Sequence, residues 1–428
     1  MRRYVNVKPN WFCAVILLAL VVNLSWMVAF PNKPHSDAAY YSKLGQSLAQ
    51  QGTYEIADVT DPTIWPGGAL SFRPLTDKAY VPPGYPLFLA AVYKVFGYNN
   101  LAPKLANVAM YLAAIGLLYR IALHLMPKRW SLAATTIVAF FPGLIAFTSL
   151  VMTEMLTTFL LMLALLLVLQ FDRARVAASR AAILGVIIGY ATLVRPVMIV
   201  LLPALLVYEL WAFRRFKVVI LRWSVVGFVA VLIILSWSAR NLMVLGEFVP
   251  ISTNGGVLFY VGNRDGASGT EDEPAFPFHL YPDEVERNRA GYRMGIAFIR
   301  QHPLEFLALL PKKVYHLYAC DCGAVWFSFS PEAQLPPRAS AMKWLSQTWY
   351  LVVVLLAACG VFFKEWRGFL KQHGPLFFLI AGFWTAFHMP FGGEGRFHVP
   401  LIPLLALFAG SSLCLLYTWV LHMFHRSP

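Results

Sequence analysis

Charged residues are scarce in this sequence, and their scarcity excludes an ordinary soluble protein. Asp, Glu, Lys and Arg make up only 13% of the 428 residues, whereas soluble domains carry about 25%. A soluble surface of this size needs far more charge to face water. Disorder and collagen-like repeats are excluded as well, since 59% of the residues are hydrophobic. The composition therefore predicts a polytopic membrane protein.

Cysteine is also scarce, which excludes a fold held together by disulfides. There are five cysteines, and they are too scattered for such a scaffold. Cys13, Cys359 and Cys414 lie in apolar runs, where cysteine behaves as a small hydrophobic residue. Cys320 and Cys322 are separated by one residue. We interpret them as an inert, unbonded pair, because the spacing is short for a disulfide and other zinc ligands are missing.

The positive charge of the chain is best explained by membrane topology. The formal net charge is +14, and basic residues accumulate in the cytoplasmic loops of membrane proteins. Such residues also attract anionic lipid headgroups, so we expect membrane lipids and no nucleic acid as partners. The basic clusters lie between apolar runs, at Lys128 and Arg129, at 173–180, at 214–217 and at 364–371.

The apolar runs are long enough to predict about ten spans, with both termini on the cytoplasmic side. We interpret residues 1–428 as a single integral membrane domain, with outer loops at about 31–100 and 240–340 and no separate soluble C-terminal domain. The predicted spans are 11–30, 102–126, 130–147, 153–170, a hairpin of two over 181–212, 217–238, 341–363, 374–390 and 398–421.

The hairpin is predicted from charge and proline. Residues 181–212 have basic residues at both ends, which places both ends on the same side of the membrane. Proline removes a backbone donor and breaks a helix, so we expect the break at Arg195-Pro196, with Arg195 near the outer tip. The Gly185-x-x-x-Gly189 pattern predicts close packing against another helix.

The two outer loops contain helical patterns of their own. Ser36–Gln51 reads as a helix stopped by Gly52. Residues 85–96 are apolar but short, which indicates an interfacial or re-entrant helix. Leu304–Phe327, which includes Lys312 and Lys313, is predicted to be amphipathic and to lie on the membrane, and Glu271–Glu273 to be a solvated loop. Large loops and carboxylates on one side favour an enzyme that works at that face.

Two carboxylates stand out as candidates for chemistry, each with a structural alternative. Asp37 opens the first outer helix, where it would act as a base or as the helix N-cap. Glu154 lies at the outer end of an apolar span, where a carboxylate is a functional hypothesis by default. Its alternative role is to stabilise the helix N-terminus. The residues alone leave both alternatives open.

Several arginines lie near the outer boundaries of the predicted spans. Arg195, Arg240 and Arg396 match phosphate geometry, although each would also serve as an anchor to carbonyls or headgroups. Glu394 and Arg396 are close enough in sequence to form an ion pair at a span entrance. No cofactor is predicted, and a divalent metal is not supported by the spacing of the candidate histidines, His35, His388 and His398.

An ordered set of short motifs runs through nearly the whole chain. With these motifs the sequence resembles the bacterial polyprenyl-phosphate-sugar-dependent glycosyltransferases of the dolichyl-phosphate-mannose protein mannosyltransferase superfamily, which have the GT-C fold. The most specific match runs from Trp237-Ser238-Ala239-Arg240-Asn241 through 250–256 to Asn263. The other matching stretches are 36–41, 48–49, 52–54, 82–90, 153–154, 193–196, and 394–397 with Pro400.

The resemblance implies a function and a set of site residues. It implies inverting transfer of a sugar from a polyprenyl-phosphate donor to a hydroxyl of a glycolipid, glycan or protein, at the outer face of the bacterial cytoplasmic membrane. Asp37 would be the base and Glu154 the second catalytic acid. We place the donor phosphate at Lys78, Arg195, Arg240 and Arg396, and substrate contacts at Tyr40, Tyr85, Asn263 and Glu394.

Two other functions fit the same architecture. A lipid-linked sugar flippase or transporter would carry charges in the middle of the membrane, and the sequence has few there. A polymerase of lipid-linked repeat units would share the large outer loop but use pyrophosphate-linked donors. The sequence identifies neither the sugar nor the acceptor.

Overall fold

Apolar helices form most of the chain, as the composition predicted. The computed structural model describes residues 10–56, 77–172, 174–270, 276–277, 280–281, 283–329 and 337–424. Within these ranges the α-helices are α1 Asn10–Ala29, α2 Asp37–Gln50, α3 Gly84–Phe96, α4 Leu101–Leu125, α5 Lys128–Ala139, α6 Pro142–Thr148, α7 Glu154–Leu169, α8 Ala178–Val194, α9 Leu201–Phe213, α10 Phe216–Leu245, α11 Gly255–Val261, α12 Glu284–Gln301, α13 Pro303–Tyr318, α14 Gly323–Phe329, α15 Pro337–Cys359, α16 Lys364–His388 and α17 Ile402–Phe424.

The helices confirm a polytopic membrane protein. Among the described residues, six helical segments are long and apolar enough to cross a membrane, and the bent pair of α5 and α6 makes a possible seventh. The six are Trp11–Ala29, Leu101–Leu125, Pro196–Phe213, Phe216–Leu245, Pro337–Phe362 and Gly395–Met423. Helices α7 and α8 are apolar but only 16 and 17 residues long, and α16 carries several charges near its start. The count of ten spans therefore stays a prediction.

The predicted span at 130–147 is not a straight helix. Helices α5 and α6 meet at an angle of 56°. The break lies at Phe141, whose backbone is extended (ψ 113°), directly before Pro142. Proline lacks an N–H group and disfavours helical geometry in the residue before it, which explains the bend.

The predicted hairpin is confirmed by contacts at its two ends. Helix α8 ends at Val194, Arg195 is extended (φ −148°), and a 3-10 turn leads into α9. Arg222 of α10 donates hydrogen bonds to the carbonyl oxygen of Arg175, just before α8, at 2.6 Å and to Glu209, near the end of α9, at 2.7 Å. Both ends of the hairpin therefore meet at Arg222, and Arg195 lies at the opposite end.

Topology mapping tests which membrane side these ends occupy. We expect reporters inserted after residue 175 and after residue 215 to report the cytoplasmic side, because both positions lie in basic clusters. Paired fusions to alkaline phosphatase and green fluorescent protein measure this directly. External activity at both positions would invert the predicted orientation, and opposite sides would contradict the hairpin.

The two glycines of α8 allow it to pack tightly on α10, as the sequence predicted. A side-chain Cβ on Gly185 would lie 2.7 Å from the carbonyl oxygen of Val226, and one on Gly189 would lie 2.9 Å from that of Ala230. Distances this short leave no room for a side chain, so the glycines fix the separation of the two helices.

The helices of the first outer loop are confirmed as well. Helix α2 ends at Gln50, and Gly52 adopts a positive φ of 73°, which glycine tolerates best. Helix α2 packs on α3 through Gly45, where a Cβ would lie 2.6 Å from the Cβ of Leu89. This contact holds α2 against the membrane domain with Asp37 at its first position.

One prediction for residues 240–340 is wrong. Cys320 and Cys322 form a disulfide, with Cα atoms 5.4 Å apart, a separation that suits a disulfide. The predicted amphipathic stretch 304–327 is divided between α13 and α14, which the disulfide-closed turn separates. Helix α13 exposes Leu304 and Tyr315, as a helix on the membrane surface would. Its position on the membrane surface stays a prediction. Residues 1–9 and Glu271–Glu273 lie outside the described residues.

Candidate active site

Four segments that are far apart in sequence bring three carboxylates and two guanidinium groups together. Arg396 donates from Nη1 to Asp37 Oδ2 at 2.7 Å and from Nε to Glu394 Oε2 at 2.6 Å. Arg195 lies 3.4 Å from Glu154. Both guanidinium groups face the ring of Phe397, at 4.9 Å for Arg195 and 5.4 Å for Arg396. We call Asp37, Glu154, Glu394 and the two arginines the carboxylate cluster.

Asp37 occupies the first turn of α2 but is not its N-cap. The cap position is Ser36, which has a positive φ of 52° and makes no side-chain capping bond. A positive φ is unfavourable for a residue with a side chain and often marks a functional turn. Asp37 is 36% exposed, the highest value in the carboxylate cluster. The N-cap of α2 is therefore Ser36, and the structure does not support a capping role for Asp37.

Glu154 is placed differently from Asp37. Its side chain is 1% exposed, and its Oε2 atom has no hydrogen-bond partner among the described residues. A buried carboxylate needs a counter-charge, and Arg195 at the tip of the α8–α9 hairpin supplies it. The geometry suits a residue that holds Arg195 in position.

Tyr41 connects the two carboxylates. Burial raises the pKa of its phenol, and the nearby charge of Asp37 raises it further, while Arg396 and Arg195 act in the opposite direction. Tyr41 packs edge-on against Tyr85, with ring centres 5.5 Å apart. A neutral phenol thus lies near both Asp37 and Glu154.

Two predicted substrate residues are buried tyrosines. Tyr85 is completely buried between Tyr41 and Phe88. Tyr40 is buried too and packs edge-on against Tyr80 at 5.9 Å. Their direct contact with substrate stays a prediction, and the observed packing makes them supports for α2.

Lys78 and Arg240, the other two predicted phosphate ligands, lie together and form no hydrogen bond or ion pair with the carboxylate cluster among the described residues. Arg240 donates to the carbonyl oxygen of Lys78 at 2.7 Å, and its guanidinium group stacks over Trp237 at 4.8 Å and Tyr54 at 5.5 Å. No carboxylate pairs with the Lys78 ammonium group among the residues that the structure describes. We call Lys78 and Arg240 the basic pair.

An aromatic cluster connects the basic pair to α2. Tyr54 packs with Tyr40 and Tyr80, and Tyr41 and Trp237 lie against this group. Burial raises the pKa of the Tyr54 phenol, and the neighbouring tyrosines raise it further. Helix α2 thus presents Asp37 and Tyr41 to the carboxylate cluster and Tyr40 to the group that supports Arg240.

The most specific sequence motif explains how the basic pair is held. The side chains of Trp237, Ser238 and Asn241 donate to the carbonyl oxygens of Ile251, Pro250 and Val249, at 2.8, 2.8 and 3.0 Å respectively. These three bonds hold the loop 249–251 in place. The same loop continues to Thr253, whose backbone N–H donates to the carbonyl oxygen of Ala79, directly after Lys78, at 2.8 Å.

Glu284 anchors the same segment from the other side. Its carboxylate accepts from the backbone N–H groups of Lys78 and Ala79, at 2.7 and 3.1 Å, and from the Thr253 hydroxyl at 2.8 Å. Sequence analysis missed this residue. In the sequence Glu284 is an ordinary glutamate at the start of a helix, so no motif distinguished it from other glutamates.

Asn263 lies in a network that leaves it no polar atom for a substrate. It is fully buried, donates to the carbonyl oxygens of Phe259 and Pro390 at 2.7 and 2.6 Å, and accepts from Lys313 at 2.8 Å. Its substrate contact stays a prediction without geometric support. Lys313 is also buried, and burial lowers its pKa to about 8. Sequence analysis placed this lysine on the membrane surface, because its partners are distant in sequence.

The Cys320–Cys322 turn supports the segment that carries Arg396. A Cβ on Gly395 would collide with the carbonyl oxygen of Cys320. Between the cysteines, the Asp321 carboxylate is buried and accepts from Ser346 at 2.9 Å, and burial raises its pKa to about 8. Sequence analysis missed Asp321 because it treated the cysteines as unbonded.

These helices and this cluster define an all-helical polytopic membrane protein with a GT-C-like fold. The profile of the family described as dolichyl-phosphate-mannose-protein mannosyltransferase matches residues 80–238, which confirms the resemblance to this superfamily. The matched segment contains Glu154, Arg195 and the basic end of the α8–α9 hairpin. Asp37 and Glu394–Phe397 lie outside it.

Solved structures support the fold. The oligosaccharyltransferase AglB from Archaeoglobus fulgidus, in complex with an inhibitory peptide and a dolichol-phosphate, is 14% identical at a TM-score of 0.56 and covers 97% of this chain. Its apo form is 15% identical at a TM-score of 0.57 over 99% of this chain. ArnT from Cupriavidus metallidurans bound to undecaprenyl phosphate is 16% identical at a TM-score of 0.42, over 94% of this chain and 78% of its own. The fold assignment depends on the archaeal structures.

The present chain spans about half the length of the archaeal structures, 51% of one and 52% of the other. No protein in the comparison with curated proteins matches it.

Proposed function

We propose that this protein transfers a sugar from a polyprenyl-monophosphate donor to an acceptor hydroxyl at the outer face of the membrane, with inversion. The observation that carries the proposal is the position of Asp37. It is the most exposed member of the carboxylate cluster, it is held by Arg396, and α2 connects it to the basic pair through aromatic side chains. The family match over residues 80–238 supports the donor class.

The distribution of charge indicates where the donor phosphate binds. The carboxylate cluster has three carboxylates against two guanidinium groups, so it carries one excess negative charge. In the basic pair, the charges of Glu284 and Glu55 act on Arg240, but neither Arg240 nor Lys78 forms an ion pair with a carboxylate among the described residues. A phosphate is repelled by the excess of carboxylates in the carboxylate cluster, whereas the basic pair offers it two cations without ion-pair partners there. We therefore place the phosphate at Lys78 and Arg240, and the acceptor at Asp37.

The reaction then follows from this placement. Arg396 binds Oδ2 of Asp37, which leaves Oδ1 to take the proton of the acceptor hydroxyl. The hydroxyl oxygen forms a bond to the anomeric carbon, while the bond from that carbon to the phosphate oxygen breaks on the opposite face. The leaving phosphate takes the bonding electron pair, and Lys78 and Arg240 stabilise its charge. A single displacement of this kind inverts the anomeric centre.

Glu154 and Glu394 act by positioning in this proposal. Glu154 holds Arg195, and Glu394 holds Arg396 from the side opposite Asp37. Both arginines pack against the ring of Phe397, which fixes Arg396 relative to Arg195 at the hairpin tip.

Replacement of Lys78 with Met is expected to raise the KM for the donor by about 10-fold to 100-fold, because a hydrogen bond to a charged group is worth about 1.5–3 kcal/mol. The initial rate of polyprenyl-phosphate release, measured against donor concentration, gives this value. Lys94→Met at the exposed end of α3 is the matched control. An unchanged donor KM in Lys78→Met would move the phosphate elsewhere in the site.

A donor panel tests the function as a whole. Purified protein in nanodiscs is incubated with polyprenyl-monophosphate sugars and, separately, with pyrophosphate-linked sugars. Transfer from a monophosphate donor supports the proposal, and activity with pyrophosphate donors alone would indicate a polymerase. Movement of the intact lipid between leaflets without bond cleavage would indicate a flippase. Mass spectrometry of envelope lipids and glycans from a deletion strain identifies the acceptor.

A further inference from the structure

A second feature lies at the end of the bundle opposite the carboxylate cluster. A groove with a cavity of about 440 Å³ opens between α5, α15 and α17. Its walls are almost entirely apolar and include Leu132, Ile137, Phe140 and Leu413, and Arg129 lines it from the first turn of α5. We call this feature the apolar groove.

The groove follows one face of α5. The residues that line it from Arg129 to Phe140, which directly follows α5, recur at intervals of three and four positions, which is the spacing of a single helix face. At 1.5 Å per residue this face is about 16 Å long. That length is about half of the ~30 Å hydrocarbon core of a bilayer, so the groove has the length of one lipid chain in one leaflet.

Polar groups in and beside the groove match a lipid. Lys128 and Arg129 are exposed, and neither pairs with a carboxylate among the residues that the structure describes. The indole Nε1 atom of Trp349 is buried and has no hydrogen-bond partner there. A guanidinium group pairs well with a phosphate.

We propose that the apolar groove binds one acyl chain of an anionic phospholipid of the inner leaflet, with the lipid phosphate at Arg129. The basic residues of α5 belong to the face predicted to be cytoplasmic, where anionic headgroups attract them. The phosphate of a sugar donor belongs at the opposite surface in the proposed reaction. Helix α4, of 25 residues, runs between the two surfaces and is about 37 Å long, so one lipid phosphate cannot serve both places.

The charged end of the groove can be tested without any enzyme activity. The protein is purified, supplied with equal amounts of phosphatidylglycerol and phosphatidylcholine, and examined by native mass spectrometry for retained lipid. We expect one retained phosphatidylglycerol, preferred by about 10-fold, because the cationic choline group of phosphatidylcholine cancels the charge of its phosphate and is repelled by Lys128 and Arg129. Arg129→Gln is expected to lose the preference. Arg175→Gln, in a different basic cluster, is the matched control and is expected to keep it.

The apolar part of the groove is tested separately. Ala133→Phe places a ring in the groove and is expected to abolish retention of both lipids. If this variant fails to fold, brominated phosphatidylglycerol provides the second readout, because bromine on the acyl chain quenches nearby indoles. The quenching of the wild type is expected to exceed that of Trp349→Phe by the contribution of one tryptophan.

Three results would overturn the proposal. The first is equal retention of the two lipids by the wild type, and the second is an unchanged preference in Arg129→Gln. The third is displacement of the retained phospholipid by an equimolar amount of polyprenyl phosphate, which would assign the groove to the donor lipid. None of these readouts depends on sugar transfer, so a failed transferase proposal leaves the groove proposal standing.

Discussion

Replacement of Asp37 with Asn is expected to lower the rate of sugar transfer by about 10²-fold to 10⁴-fold, the contribution of a positioned general base. The amide has nearly the same size as the carboxylate and still accepts a hydrogen bond from Arg396, which Asp37 now binds at 2.7 Å. It cannot take the proton of the acceptor hydroxyl. The measurement is kcat for the purified variant, with the donor that the panel identifies, beside the thermal stability of the same sample.

The control for this variant is an aspartate that only caps a helix. Asp283 precedes α12 and accepts from the backbone N–H groups of Val285 and Glu286, at 3.0 and 2.8 Å. Asparagine caps helices as well as aspartate does, so Asp283→Asn is expected to keep both stability and activity. Near-normal turnover in Asp37→Asn would assign Asp37 a structural role. Glu154→Gln would then be the next carboxylate to test.

Replacement of Arg222 with Met is expected to lower the stability of the protein by about 3–5 kcal/mol, the cost of removing one partner of a buried ion pair. Arg222 and Glu209 are both completely buried, and Nη1 donates to Oε2 at 2.7 Å. The guanidinium group also donates to the carbonyl oxygens of Asp172 and Arg175, at 2.5 and 2.6 Å. The variant leaves the Glu209 carboxylate and both carbonyls without this partner.

Two further variants identify the cause of that loss. Adding Glu209→Gln to Arg222→Met is expected to recover part of the stability, because it removes the uncompensated charge. Arg289→Met breaks a pair with Glu247 that is largely exposed and is expected to cost less than about 1 kcal/mol. Unfolding in detergent, followed by circular dichroism against denaturant concentration, measures all three. A loss in Arg222→Met no larger than that in Arg289→Met would contradict the role of the buried pair.

Arg222 also affects the position of Arg195 at the other end of the hairpin. Arg222 connects the end of α9 to the segment before α8, so it holds the base of the hairpin whose tip carries Arg195. Arg195 in turn faces Glu154 in the carboxylate cluster. The end of the bundle at Arg222 thus sets the position of a residue at the opposite end through helices α8 and α9.

Local features of the sequence were enough to predict the helices. The apolar runs, the basic clusters and Pro196 predicted the spans and the broken segment at Arg195, because helix length, charge and proline geometry act within a few residues. Gly185 and Gly189 predicted the tight contact of α8, because a small residue at that spacing serves only close packing. The bend at Phe141 and the Cys320–Cys322 bond were not predicted, although Pro142 provided a signal for the first.

The sequence by itself determined that this chain is a polytopic helical membrane protein with acidic and basic candidates at one face. Only the tertiary structure decided which candidates meet. Asp37 and Arg396 are separated by 359 positions and are hydrogen bonded. The side chain of Asn263, by contrast, is hydrogen bonded to Lys313 and to two backbone carbonyl oxygens. Composition and periodicity indicate whether a segment lies in water or in the apolar interior of the membrane. The partner of a side chain depends on which helices pack together, and that is a property of the whole chain.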